Sequence, residues 1–266
     1  NMTIEKTIVF MKAILKKLNP ADGEWAMQIT LSSKYIVAFF LLIIYSKKIN
    51  IFFKLKMAKN SFYKIIKKAA NDNHSRQRHD RIFKANEDHP VIETILSTKI
   101  KPKKVLEIGC STGFVLKTIQ SITKAKCYGI DSSRAAINEG KKLFKNINIK
   151  NGFFEDKSFK KSEFDLIICG FFLFLTPPDK ILKIFSKIDD SLNYKGNLII
   201  HDFYNKGFRK KKYKHNKFLV TYRYDFKQIF LSLPHFKLKY RKIFKNKKKL
   251  NNDGNTEVSL LKKVIF

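Results

Sequence analysis

Lys104-Val105-Leu106-Glu107-Ile108-Gly109-Cys110-Ser111-Thr112-Gly113-Phe114 is a short apolar run that ends in an acid and then in two glycines. Leu106 and Ile108 have the character of buried strand residues. The glycines permit a tight turn whose bare backbone can approach a ligand where a β-carbon would collide. The pattern predicts a strand, a turn and the start of a helix. A second short strand, Cys127 to Ile130, ends in Asp131, twenty-two residues past Gly109. An acid at that place can grip the two hydroxyls of a ribose. Together the two strand ends read as a nucleoside-binding site.

On these residues the chain resembles the class I S-adenosylmethionine-dependent methyltransferases, whose first motif is an acid, any residue, glycine, three residues, glycine. The resemblance covers residues from roughly 60 to 266. It implies an α/β protein of three-layer α/β/α Rossmann-like architecture, with a seven-stranded, mostly parallel sheet closed by a C-terminal antiparallel hairpin strand. It implies S-adenosyl-L-methionine as cofactor, with Glu107, Gly109, Ser111 and Gly113 around its methionine end and Asp131 on its ribose. Cys110, Ser132 and Gly170 join the cofactor-binding set by the same resemblance. Ser111 stands where the family more often has a third glycine, and serine is small and can itself hydrogen-bond.

A dinucleotide-binding turn competes on the same ground. Its fingerprint would need glycines at 111 and 114, where this chain has Ser111 and Phe114.

The later segments keep the methyltransferase order. Asn151-Gly152-Phe153-Phe154-Glu155-Asp156 resembles the third strand end. Relatives often place an acid after that glycine to meet the adenine amino group, and here Phe153 holds the place. Adenine is then expected to pack against Phe153 or Phe154, with Glu155 or a backbone group reading its edge. Phe164 to Phe174 resembles the fourth strand and its loop. Many base methyltransferases follow that strand with Asn/Asp-Pro-Pro-aromatic. This chain has Gly170-Phe171-Phe172, which argues against methylation of a base amine, and Pro177-Pro178 is expected to start the next helix, which reaches Leu192. Gly196 to Phe203 resembles the fifth strand. Its carboxyl end places His201, Asp202 and Tyr204 where ligands of open α/β sheets bind. Asp202 could instead only cap the following turn.

At 266 residues the chain can bury one full core with segments left over. Cys110, Cys127 and Cys169 show no disulfide framework and no metal spacing, which fits a reducing cytoplasm. The net charge of +33 resembles a nucleic-acid footprint. Yet only seven of the 55 basic residues are arginine, and a lysine excess is a poorer signature of specific phosphate recognition. Lys206 to Lys249 carries seventeen Lys or Arg against one acid, Asp225. That block could be a solvated surface, or could face an anionic partner such as a nucleotide-linked sugar.

Class I methyltransferases commonly place substrate-recognition elements after the fifth strand. The resemblance therefore makes His215, Tyr222, Arg223 and Asp225 candidates for acceptor contacts in a basic insertion at about 204–235, with Phe171 and Tyr204 beside them. Phe236 to Phe244 and Glu257 to Phe266 are expected to form the closing hairpin around the turn Asn252-Asp253-Gly254.

Residues 57–103 are expected to be a helical lid, with helices over Ser61 to Ala70 and Pro90 to Ser97 and with Arg81, Phe83 and His89 able to reach the site. Residues 1–56 form an apolar and basic extension. Its run Ile36 to Tyr45 is too short to span a bilayer. Met57 is expected to be the physiological start; the competing expectation is a membrane-surface anchor through residues 36–53.

The expected chemistry is direct methyl transfer to an oxygen or nitrogen of a small-molecule acceptor in the cytoplasm, without a metal. His201, Asp202 and His215 are the candidate bases. RNA methylation through the 206–249 block and a non-catalytic cofactor-binding or membrane-associated role are the other two classes.

Overall fold

Val105 buries on one face of the first strand, β1 (Lys104–Ile108), while Leu106 and Ile108 bury on the other. That alternation is what a strand covered by helices on both faces requires. The computed structural model describes residues 64–72, 89–214, 216, 218–245 and 254–264. All belong to one compact unit, Tyr63–Phe266. The expected extension over 1–56, Arg81, Phe83 and His215 lie outside the described residues.

The helices are α1 (64–72), α2 (Pro90–Thr98), α3 (Phe114–Thr123), α4 (Arg134–Leu143), α5 (Pro178–Ser191) and α6 (Lys227–Leu231). The further strands are β2 (Lys126–Asp131), β3 (Asn148–Asn151), β4 (Phe164–Gly170), β5 (Leu192–Phe203), β6 (Arg209–Lys212), β7 (Val220–Arg223), β8 (Phe236–Phe244) and β9 (Thr256–Lys263). Seven of them form one sheet in the order β3-β2-β1-β4-β5-β9-β8. The first five run parallel, and β9 lies antiparallel between β5 and β8. This is the expected Rossmann-like methyltransferase fold with its reversed C-terminal strand. The strand order turns back between β1 and β4, so a crevice opens at the carboxyl ends of these strands.

Two apolar layers sandwich the sheet. On one face Val91, Ile92 and Ile95 of α2, Leu116 and Ile119 of α3 and Ile137 of α4 cover Val105, Leu166, Ile168 and Ile199. On the other, Ile181, Ile184, Phe185 and Ile188 of α5 and Phe230 of α6 cover Leu106, Ile167, Leu198 and Ile200. Phe185 and Phe230 stack at 4.4 Å, a contact worth ~0.5–1.5 kcal/mol beyond the area it buries.

Element ends follow local chemistry. Pro178 occupies the first turn of α5 after Pro177, where a missing N–H costs nothing. Ser133 Oγ accepts from Ala136 N and caps α4. The insertion after β5 contains a separate two-stranded hairpin, β6 with β7.

Candidate functional site

The turn after β1 is locked by its backbone. Gly109 has φ +82°, and a β-carbon there would stand 2.8 Å from the carbonyl oxygen of Gly170 at the end of β4. Gly113 has φ +86° at the N-cap of α3. Ser111 adopts φ +50°, a left-handed conformation that costs a non-glycine residue ~1–2 kcal/mol. In return its amide donates to Asp131 Oδ2 at 2.8 Å. Asp131 Oδ1 accepts from Ser133 N at 2.7 Å, with Ser132 in the turn between. Asn151 Nδ2 and Gly152 N both donate to the Asp131 carbonyl, each at 2.9 Å. The tips of β1, β2 and β3 are thus tied together around one acid.

Glu107 is 4% exposed on β1. A β-carbon on Gly170 would lie 3.5 Å from Glu107 Oε1, so this carboxylate faces the bare backbone at the end of β4. Cys110 offers only its backbone. Its side chain is buried, and a β-carbon on Gly129 would meet its Sγ at 2.6 Å. Burial, with Asp131 and Glu107 nearby, pushes that thiol well above its usual range.

The two phenylalanines considered for adenine separate. Phe154 is 2% exposed and stacks on Phe159 at 5.4 Å, so its ring belongs to the core. Phe153 is half-buried, with Lys67 of α1 5.7 Å from its ring centroid. Lys187 of α5 donates to the carbonyls of Phe154 at 2.8 Å and Glu155 at 3.1 Å and also to that of Lys157. It thereby fixes the turn that carries Phe153. At the end of α1, Asn71 Oδ1 accepts from Ser133 Oγ at 2.8 Å and Ala135 N at 3.2 Å. That docks α1 beside the Asp131 turn.

His201 and Asp202 point to opposite faces of β5. His201 is 4% exposed, with Phe171 at 4.4 Å and His89 at 5.8 Å, both edge to face. Burial, with His89 beside it, lowers His201 to about 3, and burial lowers His89 to about 4. Asp202 accepts from Phe174 N at 3.2 Å and Phe203 N at 2.7 Å. Burial raises it to about 7 against these amides and Arg223. It holds the 3₁₀ turn Leu173–Leu175 that follows β4, rather than a turn after β5. Neither side chain stands open to an acceptor as a base.

Phe171, at φ +50° and 36% exposed, packs its ring 5.4 Å from Phe203. The Arg223 guanidinium lies 4.3 Å over Phe203. Phe171 and Arg223 are therefore brought together, through a residue that sequence reasoning passed over. Tyr222 sits across β6/β7 from Lys210, near the exposed Phe208. Tyr204 and Asp225 line a cavity with Asp202 and Phe203 and adjoin an ionic network. Lys227, 4% exposed, pairs with Asp225 at 2.5 Å and Glu257 at 2.9 Å. Glu257 also pairs with Arg241 at 2.8 Å, and Arg241 lies 5.2 Å over Tyr204. Such a network anchors the insertion to β8 and β9. Phe203, Asn71 and Lys187 went unseen. Phe203 had a signal, as the aromatic closing the fifth strand beside Asp202; Asn71 and Lys187 act across more than thirty residues of sequence.

Among the described residues no three His, Cys, Asp or Glu side chains gather as a metal site. No described helix is long and apolar enough to cross a membrane.

Residues 105–196 match the family model described as a methyltransferase domain. Ribosomal RNA small subunit methyltransferase A of Mesomycoplasma hyopneumoniae (strain 232) is 36% identical over 107 residues, 38% of this chain and 40% of that protein. The chain thus spans less than half the length of that relative. A 1,6-didemethyltoxoflavin-N1-methyltransferase of Burkholderia thailandensis, solved with 1,6-didemethyltoxoflavin and S-adenosylhomocysteine, superposes with a TM-score of 0.57. That match has 13% identity and covers 74% of this chain and 88% of that one. A methyltransferase structure from Methanosarcina mazei superposes with a TM-score of 0.54 at 16% identity, covering 67% of this chain and 99% of that one. At such identities the likeness is one of fold.

Proposed function

We propose that this chain, whose residues 105–196 match a methyltransferase domain, is a class I S-adenosylmethionine-dependent methyltransferase that transfers the cofactor's methyl group to a small-molecule acceptor. The observation that carries the reading is the pair of carboxylates, Glu107 and Asp131, at adjacent strand tips around a turn whose glycine leaves no room for a β-carbon. That cradle fits S-adenosyl-L-methionine. Glu107 and the Gly109–Gly113 backbone would hold its methionine end, Asp131 its ribose and Phe153 its adenine. When bound, the cofactor supplies an electrophilic sulfonium methyl.

The remaining work falls to this chain's residues. Phe171 and Phe203 offer an apolar wall beside the cradle, which orients an acceptor and excludes water. His201, held neutral by burial, and Asp202, engaged by two amides, leave proton removal to solvent or to the acceptor itself. An acceptor nitrogen lone pair, or an oxygen that ionises readily, suits this arrangement. α1 serves as the lid on the ribose side, supported by Asn71 and Lys67. Three free, buried cysteines support a cytoplasmic setting.

A second reading, methyl transfer to RNA, is favoured by the match to a ribosomal RNA methyltransferase. Incubation with radiolabelled cofactor and fractionated cell extract separates the two. Label in small metabolites supports the first reading, label in RNA supports the second, and no transfer to either contradicts both.

A further inference from the structure

We propose that the outer face of the β6/β7 hairpin docks on the surface of an anionic lipid bilayer. The inference does not depend on methyl transfer and adds a location to it. Strand alternation and the pairs Lys210↔Tyr222 and Lys212↔Val220 put these four residues on one face of the hairpin, with Arg209, Lys211, Thr221 and Arg223 on the other. The second face is turned inward. Thr221 is buried, the Arg223 guanidinium lies over Phe203, and both arginines have partners within the protein.

The first face carries apolar rings into water. Phe208 continues it from β6, with the Tyr222 ring at 6.4 Å and the Tyr224 ring at 6.0 Å, and is 61% exposed. These three rings form a contiguous aromatic patch rather than a lone exposed side chain. Phe218, at the closed end of the hairpin two residues before Val220, is 69% exposed. Phenylalanine has no polar tip to give to water. A solvated surface therefore accounts for the lysines of this hairpin and not for the rings between them.

Charge selects the occupant. Lys206, Lys210, Lys212 and Lys214 are all exposed. Among the described residues no carboxylate pairs with any of the four. Burial and then Asp179, at the first turn of α5, raise the Tyr222 phenol, so one acid lies within reach of the face. Against four lysines it leaves the face positive. Exposed rings beside lysines are the composition of a segment that lies in a bilayer interface, where the rings enter the headgroup boundary and the ammonium groups meet anionic headgroups. RNA could use the same two residue types, but the arginines that grip phosphate best lie on the inner face. No described helix is long and apolar enough to cross a membrane, so the attachment is peripheral. The inner face reaches the acceptor wall through Arg223 over Phe203, and docking brings that wall close to the bilayer.

Co-sedimentation of the full chain with vesicles tests this. Vesicles of phosphatidylcholine and phosphatidylglycerol in equal parts should bind it saturably, vesicles of phosphatidylcholine alone should not, and added salt should release it. Phe208→Ser and Phe218→Ser should each weaken binding about tenfold, and Lys210→Gln and Lys212→Gln about fivefold each. Phe208→Trp keeps an interfacial ring and should bind at least as tightly as the parent; with the two surface lysine changes it serves if a Ser variant fails to fold by circular dichroism. No binding to the anionic vesicles overturns the inference. So does binding that these changes leave intact, which would put the attachment elsewhere in the chain, as in residues 36–53. It is also overturned if a single-stranded RNA oligonucleotide binds and is lost on the same changes while the vesicles do not bind. Failure of S-adenosylhomocysteine to bind the parent contradicts the methyltransferase reading and leaves the docking face standing.

Discussion

The Ser111 amide donates to Asp131 Oδ2 at 2.8 Å, which joins the turn after β1 to the end of β2. Ser111 reaches this geometry only in the left-handed region, at φ +50°. The bond therefore offsets local strain, and it orients the carboxylate proposed to hold the ribose.

Gly109→Ala should be among the more damaging single changes. The new methyl would meet the Gly170 carbonyl at 2.8 Å and sit on a φ of +82°. A loss of ~1–3 kcal/mol is expected by urea denaturation, together with a fall in S-adenosylhomocysteine affinity. Unchanged stability would show that β1 and β4 do not approach this closely.

Lys187→Met removes a cation that reaches the carbonyls of Phe154, Glu155 and Lys157. Stability should fall by ~1–3 kcal/mol. Affinity for 5′-methylthioadenosine, which lacks the amino-acid end, should fall as much as that for S-adenosylhomocysteine. A loss confined to the larger ligand would place the effect at the methionine end and contradict the role given to Phe153.

The pH dependence follows from His201 and His89. Their folded values of about 3 and about 4 lie below the unfolded value of 6.5. The unfolded chain therefore binds protons first as pH falls, and stability drops between about 6.5 and 4. Asp202, raised from 3.8 to about 7, acts in the opposite sense over the same window, since there the folded state holds the extra proton. Two histidines against one carboxyl leave a net acid loss. His201→Phe should lessen that loss by ~2 kcal/mol, read as Tm against pH. An unchanged pH profile would contradict a buried neutral imidazole.

Glu257 links Lys227 to Arg241 inside the network beneath the insertion. Glu257→Gln leaves a buried lysine with Asp225 as its remaining carboxylate partner, at a cost of ~2–4 kcal/mol. Thermal unfolding should shift down by several degrees. No shift would show that the insertion does not depend on this network.

The strand that decides the fold is legible in residue order alone, because an apolar run ending in Glu107 and Gly109 combines two local signals, burial period and bare-backbone turn. Asp131 is visible for the same reason, at the end of a second run. His201 and Asp202 are less legible. Adjacent strand residues point to opposite faces, and which face meets the site depends on α2 and the Leu173–Leu175 turn packing from distant parts of the chain. Phe154 and Phe153 are alike as letters, and only the stacking of Phe154 on Phe159 separates core from site. Tyr204 and Asp225 carry the right chemistry for an acceptor. Their place beside Lys227 and Arg241 requires β8 and β9 to arrive next to the insertion.

Calorimetric titration of the intact protein with S-adenosylhomocysteine, in parallel with Asp131→Ala, tests the central claim most directly. Saturable one-site binding is expected for the parent and at least tenfold weaker binding for Asp131→Ala, with the variant still folded by circular dichroism. No binding to the parent, or equal affinity in the variant, would contradict the account.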